Sequence, residues 1–129
     1  HSKRSLSYSL LADCNLIKKI LITYENIIKK EKYIMYMNEE MIMSKLLEDF
    51  CYETNDAFGG VQKLYQFDNA MGASVIKHEN SYGGKLGLWE VAVLDGAGNL
   101  DYSTPITDDV LGRLTWPEVT STLRKIQQL

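Results

Sequence analysis

The strongest strand signal in this chain lies at residues 87–94, Gly-Leu-Trp-Glu-Val-Ala-Val-Leu. Successive side chains of a strand point to opposite faces, and both faces here are mostly apolar, with Glu90 as the exception. This pattern predicts a strand that is covered on both sides. Residues 95–99, Asp-Gly-Ala-Gly-Asn, predict a hairpin into a further strand at 100–106, and Pro105 marks the end of that strand.

Two shorter strand signals precede this one. Residues 63–67, Lys-Leu-Tyr-Gln-Phe, and residues 73–78 are separated by the turn-forming stretch Asp-Asn-Ala-Met-Gly at 68–72. Short connections join antiparallel neighbours, so we expect an antiparallel meander of three or four strands.

The C-terminal segment predicts a helix. Residues 115–118, Thr-Trp-Pro-Glu, form a capping box, in which the Thr115 hydroxyl accepts from the Glu118 amide and the Glu118 carboxylate reaches back. Residues 107–112 predict a single helical turn before it, which Gly112 ends. An apolar stripe marks the buried side of the C-terminal helix: Val119, Leu123 and Ile126.

The first 58 residues contain neither Gly nor Pro, which favours helix. Apolar residues recur at helical spacing over 14–31 and again over 39–53, so we predict two helices. We place a break between them because a continuous helix would put Glu31 and Asn38 on the apolar face. A single long helix is the alternative, and it would almost require a partner chain to cover it.

These elements predict an α+β fold with two N-terminal helices, an antiparallel sheet of three to four strands and a C-terminal helix. The 129 residues suit a single domain, with a helical N-terminal extension at 1–42 and an α+β core at 43–129. No apolar run is long enough for a membrane span.

The two amphipathic helices supply more apolar surface than one small sheet covers. We therefore predict a homodimer or higher homo-oligomer. The residues expected in its interface are Ile17, Ile20, Leu21, Tyr24, Ile28, Leu46 and Phe50.

Charge is distributed unevenly along the chain, although the net charge is only −3. Residues 1–34 carry seven Lys or Arg against three acids, a local charge of +4, and residues 35–129 carry seven against fourteen, a local charge of −7. Basic residues on helices are usually a solvated face, and binding to nucleic acid is the alternative. That alternative would depend on Lys3, Arg4, Lys18, Lys19, Lys29, Lys30 and Lys32.

The only cysteines are Cys14 and Cys51, with no CxxC pair and no accompanying histidine cluster. We therefore predict no metal and no cofactor. Two cysteines in a domain of this size suggest a reducing compartment, so we expect a cytoplasmic protein. A helical hairpin would bring the two thiols close enough to pair, although buried free thiols are the favoured interpretation.

Motifs for catalysis are weak. Residues 95–106 lack the ligands of a calcium loop, and residues 82–87 lead into a strand where a phosphate loop leads into a helix. A small enzyme that uses Cys51 as a nucleophile and His78 as a base is the least favoured alternative.

Aromatic residues near the predicted sheet suggest a surface that could hold a partner. The candidate partner-binding residues are Tyr82, Gly83, Gly84, Trp89 and Tyr102.

Several stretches of the second half of the chain form a recognisable pattern: Tyr-Gln-Phe at 65–67, Gly-Ala-Ser-Val-Ile at 72–76, Ser-Tyr-Gly-Gly at 81–84, Gly-Leu-Trp-Glu-Val-Ala-Val-Leu at 87–94 and Thr-Pro-Ile-Thr-Asp-Asp-Val at 104–110. In this pattern, residues 65–129 resemble small uncharacterised proteins of phages and mobile elements. The resemblance implies an accessory or interaction role in a prokaryotic cytoplasm and assigns no catalytic residue. The sequence therefore favours a non-enzymatic protein-interaction module of a phage or mobile genetic element.

Overall fold

The computed structural model describes the backbone of residues 2–129 and the side chains of residues 13–129. The chain consists of two compact units, His1–Glu39 and Glu40–Leu129. Helix α1 spans Ser2–Glu48, so its last turns belong to the second unit. The other elements are β1 (Cys51–Ala57), β2 (Gly60–Gln66), β3 (Gly72–Lys77), β4 (Trp89–Leu94), β5 (Leu111–Leu114) and α2 (Trp116–Gln127), with a short 3-10 turn at Gly84–Leu86.

The strands form one antiparallel sheet whose spatial order follows the chain, β1-β2-β3-β4-β5. Val75 on β3 lies opposite Lys63 on β2 and Val91 on β4. The predicted α+β class and antiparallel meander are confirmed, but the sheet has five strands rather than three or four. Four of the six residues of β4 are buried, and they fall on both faces of the strand.

The extra strand at the first edge replaces the end of the predicted helix 39–53. Helix α1 ends at Glu48, and the Phe50 amide donates to the Leu47 carbonyl in a turn. Phe50 and Cys51 fit a helical stripe in the sequence, and this made the segment look helical. Strand β1 forms instead because its backbone pairs along the whole of β2.

The last strand is also displaced from its predicted place. After the turn, Leu100 bridges Leu94 and the Asp101 amide donates to the Val93 carbonyl, but the chain then leaves the sheet at 102–110. In this segment, side chains form hydrogen bonds with backbone amides that have left the sheet. The Asp101 carboxylate, for example, accepts from the Ser103 amide at 2.9 Å. The predicted strand 100–106 is therefore mostly wrong.

The excursion returns to the sheet where a helical turn was predicted. The chain resumes pairing with β4 as β5, in which Leu111 lies opposite Val91. Residues 108–109 form a bend, and no helical turn is present at 107–112. Gly112 is a strand residue rather than a helix stop, and a Cβ at this position would come within 2.5 Å of the Tyr82 Cβ.

The C-terminal helix begins as predicted. Thr115 accepts from the Glu118 amide, and the Glu118 carboxylate accepts from the Thr115 amide at 3.2 Å, which completes the capping box. The stripe that α2 buries against the sheet is the predicted one: Val119, Leu123 and Ile126.

The core of the second unit closes with residues of that unit alone. Leu47, near the end of α1, is 2% exposed and joins the buried cluster formed by the sheet and α2. The Trp116 indole donates to the Ser44 hydroxyl at 2.9 Å, which ties α1 to the start of α2. The last turns of α1 are therefore part of this core.

The predicted break in the N-terminal helix is wrong. Residues 32–37 are helical, and α1 runs without interruption through Glu31 and Asn38. Both side chains are exposed, so neither is buried among apolar residues in a single chain. The alternative of one long helix holds.

Candidate interaction surfaces

Helix α1 exposes a long apolar face in the first unit. Five of its large apolar side chains are between 50% and 61% exposed: Ile17, Ile20, Leu21, Tyr24 and Ile27. Ile28 is partly buried. Contiguous apolar patches of this kind are typical of interaction surfaces in soluble proteins.

The other two predicted interface residues lie in the second unit. Leu46 is exposed on α1, whereas Phe50 packs against the core with its ring 5.4 Å from that of Phe67. Both line a groove of 480 Å³ between the end of α1 and α2, together with Arg124. Phe50 is thus a partly buried residue that packs against the core and lines the groove.

The loop that carries Tyr82 is shaped by its own backbone. Ser81 accepts from the His78 amide and donates to the His78 carbonyl, which closes a tight turn. Gly83 has a φ of 85°, and a Cβ on Gly84 would overlap the His78 carbonyl oxygen. Both glycines therefore serve the turn, and the large apolar side chains that the loop exposes are Tyr82, at 60%, and Leu86, at 77%.

Trp89 does not join Tyr82 in one surface. Its ring lies 5.0 Å from the ring of Trp116 at the start of α2, and the Lys77 ammonium lies 4.5 Å from its centre. Trp89 is thus half-buried on the face that α2 covers. Tyr102 is exposed at the start of the excursion.

Glu90 lies beneath the Tyr82 loop and is 9% exposed. Burial raises the pKa of its carboxyl, and the hydrogen bond from the Tyr82 amide and the nearby His78 partly oppose this. The sequence signal was a single acid in an otherwise apolar strand, which the partner-site prediction did not use. The Glu90 carboxylate therefore connects strand β4 to the loop through its hydrogen bond with the Tyr82 amide.

The sheet separates the two residues of the enzyme alternative. Cys51 lies opposite Tyr65 and Lys77 lies opposite Val61, so Cys51 and His78 occupy opposite ends of the strands. At about 3.3 Å per residue they are roughly 17 Å apart along the sheet. They cannot act as a nucleophile and its base.

Each of these two side chains has a hydrogen-bonding group close to it in the chain, and the His78 ring also lies 5.2 Å from the ring of Phe58. The Cys51 thiol lies 3.5 Å from the Glu53 carbonyl, and His78 accepts from the Asn80 amide through Nδ1.

Cys14 and Cys51 are both free thiols. Cys14 is exposed, so the expectation of a buried thiol is wrong for this residue, and Cys51 is half-buried. The helical hairpin on which the alternative of a disulfide depended is replaced by the continuous helix α1.

Two broader properties concern the part of the chain that the structure describes. There, no three His, Cys, Asp or Glu side chains come together as a metal ion would require. Nor does any helix within it have the length and apolar character needed to cross a membrane.

No protein-family model, curated protein or solved structure matches this chain. The resemblance of residues 65–129 to proteins of phages and mobile elements therefore stays a prediction.

Proposed function

We propose that this protein is a non-enzymatic protein-interaction module that assembles with a second copy of itself through α1. The observation that carries the proposal is the exposed apolar face of α1, on which Ile17, Ile20 and Ile27 are each at least 50% exposed. The sheet unit needs no such cover, because its own residues close its core.

The energetics favour assembly over an isolated helix. Full burial of an Ile or Leu side chain contributes about 1.5–3 kcal/mol, so a half-exposed one still has about 1 kcal/mol to gain. Helices in water are stabilised mainly by packing an apolar face rather than by intrinsic propensity. A second α1 offers each copy a matching face.

In this proposal the sheet unit carries the surface for a further protein. Tyr82 and Tyr102 are its exposed aromatic side chains in the loops that follow β3 and β4. Aromatic residues are enriched in protein interfaces because they combine a large apolar area with a polar group. By the resemblance of residues 65–129, we place the module in a phage or mobile element acting in a prokaryotic cytoplasm.

A second candidate function is nucleic-acid binding through α1. Between residues 18 and 32 the helix carries five exposed lysines and two glutamates. Lysines neutralise phosphates, so binding would weaken steeply with added salt. The double substitution Lys19→Glu and Lys29→Glu reverses charge away from the apolar face and would abolish such binding without changing the mass of the assembly.

Light scattering on matched variants tests self-assembly. Ile27 and Ile22 are the same residue type, 50% and 58% exposed, but Ile22 lies off the apolar face. We expect the full chain to have twice its 14.7 kDa mass, Ile27→Asp to reduce it to a monomer and Ile22→Asp to leave it dimeric. A monomeric full chain, or equal effects of the two substitutions, would refute the proposal.

A further inference from the structure

We infer that the two α1 helices pair antiparallel in one particular register, with the two-fold axis between Ile27 and Ile28. This inference rests on the proposed self-assembly and adds the geometry of the partner. It is carried by the order of apolar, polar and charged residues along the exposed face of α1.

The exposed face repeats every seven residues. Pairs of apolar residues recur at 20–21, 27–28 and 34–35, which is the spacing that lets two helices pack along a continuous seam. A central line of single residues runs between the pairs, and it changes from apolar to polar along the helix: Ile17, Tyr24, Glu31 and Asn38.

The central line selects the direction of pairing. In a parallel pair with equal register each residue meets its own copy, so two Glu31 carboxylates would face each other in the seam. An antiparallel pair centred between Ile27 and Ile28 places Tyr24 of each copy beside Glu31 of the other. The phenol hydroxyl can then donate to the carboxylate, which gives the one acid of the seam a hydrogen-bond partner.

Charges along one border of the face agree with this register. The residues of that border are Lys18, Glu25, Lys32 and Glu39, all exposed and alternating in sign. In an antiparallel two-fold pair each border faces its own copy. Lys18 then meets Glu39 of the second copy, and Glu25 meets Lys32.

The axial positions of these pairs are compatible with contact. At 1.5 Å rise per residue, the Cα atoms of Lys18 and of Glu39 from the second copy differ in height by about 3 Å. Side chains of a helix lean toward its N-terminus, so in an antiparallel pair the two side chains lean toward each other. The same offset applies to Glu25 and Lys32.

Neighbouring registers reverse this complementarity. Sliding one helix by one seven-residue repeat in one direction sets Lys18 against Lys32 and Glu25 against Glu25. Sliding it in the other direction sets Glu25 against Glu39 and Lys32 against Lys32. Like charges in direct opposition are unfavourable, so the border charges specify a single register.

The second border contains no opposing like charges in this register. Leu16 faces Met37 of the second copy, and Thr23 faces Lys30. Both borders therefore fit one antiparallel arrangement with a second copy of the chain.

Disulfide cross-linking of the full chain tests the arrangement. In a background with Cys14→Ser and Cys51→Ser, Ile28→Cys would place two thiols together across the two-fold axis. The matched variant Ile20→Cys would leave its two thiols about 22 Å apart along the axis, because fifteen residues at 1.5 Å separate them. We expect a cross-linked dimer from Ile28→Cys alone, and from Ile20→Cys only when Ile34→Cys is added.

Charge reversal provides an independent measurement. Lys18→Glu with Lys32→Glu makes the border uniformly acidic, and we expect the dimer dissociation constant to rise about tenfold or more, since four opposed pairs are lost at a few tenths of a kcal/mol each. Adding Glu25→Lys and Glu39→Lys inverts the pattern and should restore wild-type affinity.

The outcomes separate the two proposals. A monomeric background protein refutes self-assembly itself. A dimer in which Ile20→Cys cross-links alone, or in which Ile28→Cys does not cross-link, refutes the antiparallel register and leaves self-assembly standing. The register is also refuted if the variant with all four border charges reversed does not regain the wild-type dimer affinity.

Discussion

The two units of this chain differ in whether their apolar side chains are buried or exposed. In the sheet unit, Val75, Val91 and Val119 are completely buried, whereas Ile17, Ile20 and Ile27 of α1 are half in water. Composition does not account for this difference, because both segments are rich in aliphatic residues. The difference is whether the unit contains a second element of secondary structure that covers its apolar face.

The sheet unit provides that layer itself. Helix α2 and the end of α1 cover one face of the sheet, and Leu47 completes the cluster. The first unit is a stretch of one helix, and one helix cannot bury its own apolar face. The core of the sheet unit is therefore closed by its own residues, whereas we propose that a second copy covers the apolar face of α1.

The largest effect that would sharpen this comparison is a core truncation. Leu123→Ala should lower the free energy of unfolding of the sheet unit by about 2–5 kcal/mol, because a 1% exposed side chain is lost and a cavity remains. Denaturant unfolding can be followed by tryptophan fluorescence, since both tryptophans, Trp89 and Trp116, lie in this unit.

The matched truncation in the other unit is Leu21→Ala. Its side chain is 53% exposed, so the tryptophan-reported unfolding should stay unchanged while dimer affinity falls. Equal shifts in unfolding from Leu123→Ala and Leu21→Ala would break the comparison.

A smaller effect is expected at the start of α2. Thr115→Ala removes the side-chain half of the capping box, and we expect the sheet unit to lose about 1 kcal/mol of unfolding free energy. Ser121→Ala, at an exposed position inside the same helix, is the control and should change stability little. A larger loss from Ser121→Ala than from Thr115→Ala would contradict the role of the cap.

These elements also show how far the sequence can be interpreted. The capping box gives the correct start of α2, and short runs of strand-forming residues bounded by turn residues identify β2, β3 and β4, because each signal depends on residues close together in the chain. Strands β1 and β5 were missed because they are short or polar edge strands. Their formation depends on pairing with β2 and β4, which local sequence does not encode.

Of the candidate surfaces, the sequence predicts those that depend on local helical spacing and does not predict those that depend on strand pairing. Exposure of the α1 stripe follows from helical period once the helix is continuous. The separation of Trp89 from Tyr82, and of Cys51 from His78, depends on strand register. Neither motif nor spacing could reveal it.

A substitution at Tyr65 is expected to stabilise the sheet unit, whereas Leu123→Ala and Thr115→Ala are expected to destabilise it. Its hydroxyl is buried and makes no hydrogen bond to the described part of the protein. Tyr65→Phe should therefore raise the free energy of unfolding by about 1 kcal/mol, since a desolvated unpaired hydroxyl is removed. Tyr52→Phe, at an exposed tyrosine on β1, should have no effect. A marked loss of stability in Tyr65→Phe would show that the hydroxyl has a partner.

The smallest expected effect concerns pH. Burial raises the pKa of Glu90 above its ordinary value, so the folded state binds this proton more tightly than the unfolded state does. Its contribution to stability is full below the unfolded pKa of about 4.5 and is lost as the pH rises through the folded pKa.

Glu90→Gln keeps an acceptor for the Tyr82 amide but cannot ionise. We expect it to melt at a higher temperature than wild type at neutral pH, with the difference vanishing in acid. Glu79→Gln, at an exposed position, should show no pH-dependent difference from wild type. An equal melting-temperature difference at both pH values would argue against a buried carboxylate.

The contrast between the units is tested most directly by amide hydrogen exchange of the full chain at high and low protein concentration. Self-assembly through α1 predicts that residues 17–38 are protected at high concentration and lose that protection on dilution, while the strands of the sheet unit keep theirs. Protection of residues 17–38 that does not change with concentration, or that is absent at every concentration, would contradict a helix stabilised by a second copy.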